Sequence, residues 1–109
     1  MKPVCEVMAQ YVIPSLRALI ARDLIEVHKM TQKEAAKRLG MTQPAVSQYK
    51  KHVRGNKAKA LERDSEVSNK ITEISRSLAK NEISFQEATS EMCVICKYIR
   101  EKELVKKII

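Results

Sequence analysis

Glycine occurs only twice in this 109-residue chain, at positions 40 and 55, and proline three times, at 3, 14 and 44. A fold of many short strands needs a tight turn every few residues, and so few turn formers do not supply them. Tryptophan is absent and aromatic residues are 4% of the chain, which removes the residues that favour strands most. A hydrophobic content of 44% beside 31% charge argues against disorder. The expected class is all-α, on the scale of one ordinary domain with a modest core.

Apolar spacing then divides the chain into helices. Residues 4–12 are mostly apolar and suit a short lead-in helix before Pro14, itself at home in a first helical turn. Leu16, Leu19, Ile20, Leu24 and Val27 follow a helical period, predicting an amphipathic helix that ends near Met30. Thr31 with Glu34 three residues on reads as a capping box, opening a short helix stopped at Gly40. Thr42 caps the next helix, with Pro44 in its first turn and Ala45, Val46, Tyr49 and Val53 as its apolar stripe. Gly55-Asn56 ends it, and residues 55–63, basic and polar, read as a linker. Val67, Ile71, Ile74 and Leu78 mark a helix over about 64–80, broken at Asn81-Glu82-Ile83. Ser84 with Glu87 is a second capping box, before a helix carrying Ala88, Met92, Ile95 and Ile99 on one side. The tail from Leu104 to Ile109 either continues that helix or packs elsewhere.

The formal net charge of +8 is unevenly spread. Residues 1–30 carry four basic and three acidic side chains, and residues 61–109 carry nine of each sign. Residues 31–60 hold Lys33, Lys37, Arg38, Lys50, Lys51, Arg54, Lys57 and Lys59 against Glu34 alone, a balance of +7. A polyanionic partner for that block is one reading; a solvated basic face is the other.

Two short helices joined across Gly40 have the layout of a helix-turn-helix. Ala36 sits where the helices cross and must be small. Gly40 takes the turn without a Cβ penalty. Leu39, Met41, Val46 and Tyr49 fill the wedge, while Gln43, Ala45, Ser47, Gln48 and Lys51 point outward. The run Gln32-Lys-Glu-Ala-Ala36-Lys-Arg-Leu-Gly40-Met-Thr-Gln-Pro-Ala-Val46-Ser-Gln-Tyr49 resembles the helix-turn-helix of the lambda-repressor/Cro (XRE-type) regulators. A wider likeness runs to small archaeal predicted transcription regulators. It covers a Cys-Glu near the start, Pro-x-x-Arg-x-Leu-Ile-Ala, Thr-Gln-x-x-Ala-Ala, Gln-x-Ala-Val-Ser-Gln-Tyr and a later Cys-x-x-Cys. These resemblances imply a sequence-specific DNA-binding transcriptional regulator with its second helix in the major groove of double-stranded DNA. Carried over by position, Gln43, Ser47 and Gln48 read base edges, and a Gln amide pairs bidentately with adenine. Gln32 and Thr42 face phosphate. Lys50, Lys51, Arg54, Lys57 and Lys59 supply positioning contacts and a salt-dependent affinity.

Cys93 and Cys96 stand three residues apart, neighbours on one helical face, and Cys5 lies near the start of the chain. An odd count excludes a closed disulfide framework. Folding the last helix back on the N-terminal segment brings three thiolates together, and soft sulfur ligands select zinc or iron–sulfur clusters. No fourth cysteine exists, and His28 and His52 are the only histidines. A structural zinc site wants four protein ligands. A cubane 4Fe–4S cluster with its fourth ligand unassigned is therefore favoured over zinc, with reversible disulfide sensing third; free thiols acting as small buried hydrophobes are the competing reading.

The expected organisation is a helix-turn-helix DNA-binding unit over residues 1–55, a basic linker over 56–63, and a C-terminal helical pair over 64–109 for dimerisation and sensing. Operator-binding proteins of this layout bind as two-fold dimers. Val67, Ile71, Ile74 and Leu78, with Phe85, Met92 and Ile99 nearby, read either as the homodimer interface or as intramolecular core. The alternative function is a small iron–sulfur or zinc protein whose helix-turn-helix is a scaffold or a protein contact. No Gly-rich phosphate loop, nucleophile–base set or paired carboxylates point to an enzyme. No signal-peptide layout or membrane-spanning run occurs, so a cytoplasmic location is expected.

Overall fold

The computed structural model describes the backbone of residues 12–52 and 56–102, and the side chains of all of these except 50–52, 56 and 57. The lead-in segment 4–11, Cys5, Val53, Arg54, Gly55 and the tail from residue 103 lie outside the described residues. Every regular element described is a helix, as the scarcity of turn formers requires: α1 (Ile13–Glu26), α2 (Gln32–Arg38), α3 (Gln43–His52), α4 (Asn56–Arg63), α5 (Ser65–Ala79) and α6 (Phe85–Glu101).

Helix α1 is the axle. Pro14 occupies its first turn, and Ser15, Leu16, Ala18, Leu19, Ile20, Ala21 and Leu24 are buried almost all the way round it. A helix apolar on most of its circumference is stable only when others surround it, and α1 packs against each of the other five described helices. It stops at Glu26, a turn before Met30. Val27 is exposed, Lys29 adopts a φ of +60°, and the N–H groups of His28 and Met30 bond back to Asp23 and Leu24 carbonyls. Val27 keeps the helical period but meets no neighbour, so it holds no further turn against the core.

The two short helices begin and end on local signals. Thr31 Oγ1 accepts the Glu34 N–H at 3.1 Å at the start of α2. Gly40, at φ +64°, closes α2: its N–H bonds to the Lys37 carbonyl, and the Met41 N–H to that of Ala36. That is a Schellman stop. Thr42 Oγ1 then accepts the Ala45 N–H at 3.4 Å to start α3. Ala35, Ala36, Leu39 and Val46 are buried between α1, α2 and α3, with Met41 packed beside them.

Residues 56–63 are not a linker. They form α4, which buries Ala58 and Leu61, three residues apart, and packs on α1 and α5. An ion pair between Arg22 of α1 and Glu62 holds the same contact. The six other residues of α4, polar or small, hide this narrow stripe in the sequence, and only the surface offered by α1 and α5 makes it worth burying.

Helices α5 and α6 are antiparallel neighbours joined by a tight turn. Asp64 caps α5 through the Val67 N–H, and the C-terminus repeats the Schellman stop with Asn81 at φ +62° in place of glycine. Ser84 and Glu87 form the full capping box that starts α6. Tyr98 Oη donates to Asp64, 3.2 Å from each carboxylate oxygen, tying α6 to the α4–α5 junction. Val67, Ile71, Ile74 and Leu78 are all buried within the single chain, as are Met92 and Ile99. The α5 stripe is thus intramolecular core, and of its two readings the homodimer interface is set aside. None of the described helices is long and apolar enough to cross a membrane.

Candidate nucleic-acid interface

Helix α3 is anchored from one side only. Val46 is fully buried and Ala45 and Tyr49 are half-buried, all facing the α1–α2 side, while Gln43, Pro44, Ser47 and Gln48 are exposed. The division follows the 3.6-residue period: positions 45, 46 and 49 fall on one side and 43, 44, 47 and 48 on the other. The outward set offers amide and hydroxyl groups that donate and accept hydrogen bonds. Pro44 needs no partner for a missing N–H in this first turn.

The supporting residues flank this face. Thr42 is exposed at the start of α3, and Gln32 is half-buried in the first turn of α2. Lys33, Lys37 and Lys59 are exposed and Arg38 is half-buried. The backbone of α3 continues through Lys50 and Lys51; their side chains, that of Lys57, and Arg54 lie outside the described residues. Of the described candidates for DNA contact, Gln32, Thr42, Gln43, Ser47 and Gln48 therefore fall on α2, α3 and the turn between them, and Lys59 on α4.

Phe85, expected only beside the α5 stripe, also reaches the turn between α2 and α3. A Cβ built on Gly40 would stand 2.9 Å from Phe85 Cδ1 and 3.0 Å from Cγ. The ring occupies the space that a side chain at position 40 would need. This contact spans 45 positions, and no local signal announces it.

Of the three cysteines, two lie among the described residues. Cys93 is exposed and Cys96 half-buried, on successive turns of α6. Cys96 packs beside the apolar core, and burial pushes its thiol up to about 11. No three His, Cys, Asp or Glu side chains gather into a metal-holding group among the described residues. By themselves, the two described thiols do not furnish a zinc or iron–sulfur site.

No protein-family model matches the chain, and neither a curated protein nor a solved structure matches it.

Proposed function

We propose that this chain is a transcriptional regulator that binds double-stranded DNA by laying α3 in the major groove, acting as a homodimer. The observation that carries the reading is the one-sided anchoring of α3: Val46 is buried beneath it while Gln43, Ser47 and Gln48 stand exposed. A groove-reading helix needs that combination, because its base-reading side chains must project from a rigid support. The +7 balance over residues 31–60 supplies the phosphate attraction. The resemblance of residues 32–49 to XRE-type regulators supports the same assignment. Gln43, Ser47 and Gln48 read bases; Gln32, Thr42, Lys50, Lys51 and Arg54 hold the backbone.

Duplex affinity measured across a salt series tests this directly. It falls steeply with rising salt, by about one logarithmic unit per phosphate contact for each tenfold increase. Gln43→Ala with Gln48→Ala erases preference for a selected operator, at about 1–3 kcal/mol per lost base contact, and spares non-specific binding. Absence of duplex binding at low salt overturns the reading. Sedimentation with a palindromic duplex tests the dimer through a two-to-one stoichiometry. Iron, sulfide and zinc analysis of anaerobically purified protein tests a cysteine-bound centre separately.

A further inference from the structure

A cleft of about 380 Å³ opens between α2 and the α5–α6 turn. Its volume falls in the range of small-ligand sites, about 300–1,000 Å³. One wall is basic, formed by Lys37 and Arg38 from the last turn of α2. Among the described residues, neither is joined to a carboxylate by an ion pair. The opposite wall carries an apolar patch of Leu78, Ile83 and Phe85, beside the polar Asn81 and Ser84 of the same turn. Glu34 is the one carboxylate at the cleft, and its Oε1 lies 3.4 Å from Thr31 Oγ1 at the far end of α2.

We propose that this cleft binds a small organic anion, an aromatic or aliphatic body carrying one carboxylate or phosphate. Two unpaired cations opposite an apolar wall match such a molecule at both ends. A bare inorganic anion leaves the apolar wall uncovered, and a neutral ring leaves both cations unanswered. Phe85 gives the cleft its reach. The ring that lines it also fills the space above Gly40, so an occupant that displaces Phe85 acts on the turn between α2 and α3. Binding at the cleft stands apart from the DNA reading; an effect on operator affinity rests on it.

The test is a titration of the isotopically labelled full chain with phenylacetate, followed by amide chemical shifts. The expected result is saturable shifts at Lys37–Gly40 and Asn81–Phe85. Arg38→Gln weakens the binding about tenfold, as loss of a charge-assisted contact does. Lys37→Gln, at an exposed position, weakens it in the same sense and leaves the remaining spectrum unchanged. Benzyl alcohol, acetate and inorganic phosphate each shift the same amides less at equal concentration. No saturable shift overturns the proposal, as does an undiminished shift in both variants. Equal binding of inorganic phosphate also overturns it, reducing the cleft to a patch of charge. Loss of duplex binding by the ligand-free protein would sink the regulator reading and leave these shifts as they are.

Discussion

Gly40 shows how much one residue can be asked to do. Its φ of +64° lies where an L side chain is strained by about 1–2 kcal/mol, and the Phe85 ring stands where a Cβ would go. Gly40→Ala is expected to lower stability by more than the backbone strain alone. In a double-mutant cycle with Phe85→Ala, the excess disappears once the ring is gone, leaving only the backbone cost. Urea unfolding of the four proteins checks this, and a purely additive cycle would count against the contact. Cys96 offers a second test at this scale. Burial raises its thiol from 9.0 to about 11, so the folded state keeps the proton longer than the unfolded chain. Stability is unaffected below about pH 9 and falls as pH rises from there towards 11, because the unfolded chain releases its proton first. Cys96→Ala removes that dependence. Alkylation followed by mass spectrometry at about pH 8 should label exposed Cys93 well before Cys96.

Among the elements, α4 depends most on its neighbours. A basic segment without a capping signature folds because Ala58 and Leu61 meet α1 and α5. Leu61→Ala is expected to cost about 2–4 kcal/mol in chemical denaturation, the range for an emptied leucine site in a core. A flexible linker would lose almost nothing. The Arg22–Glu62 ion pair at the same contact is partly exposed and adds less, since such pairs contribute about 0–1 kcal/mol and weaken with salt. By contrast, α2 and α6 start at capping residues that were legible in advance, Thr31 and Ser84. A cap acts within one turn, which is why its residue type alone marks the place. The α1 terminus was misread by a turn because Val27 fits the helical period but meets no neighbour.

At the scale of the whole molecule, the α5 stripe lies inside the chain. Ile74→Ala is expected to lower unfolding stability by about 2–4 kcal/mol and leave the sedimentation behaviour of the folded protein unchanged. A shift from dimer to folded monomer would instead return the stripe to an interface. The packing around α1 joins parts of the chain that were separable on paper. The candidate DNA-reading helices α2 and α3 and the C-terminal helices α5 and α6 all rest on that one helix. The C-terminal helices thus reach α3 through α1, and reach the turn before it through Phe85 over Gly40.

What the sequence determined by itself was local. Helix class followed from two glycines and three prolines, the stop at Gly40 from its tolerance of positive φ, and the starts from Thr31, Thr42 and Ser84. The polar face of α3 was legible too, because Val46 and Tyr49 recur at helical spacing away from Gln43 and Ser47. Only the tertiary structure decided which apolar faces were covered. Ile71 and Ile74 have the same residue type and spacing whether they meet a second copy or α1 and α6. Phe85 has no local reason to approach Gly40, and Leu61 none to be buried. Capping and periodicity act over a turn or two of chain, whereas burial depends on surfaces that come together from distant positions.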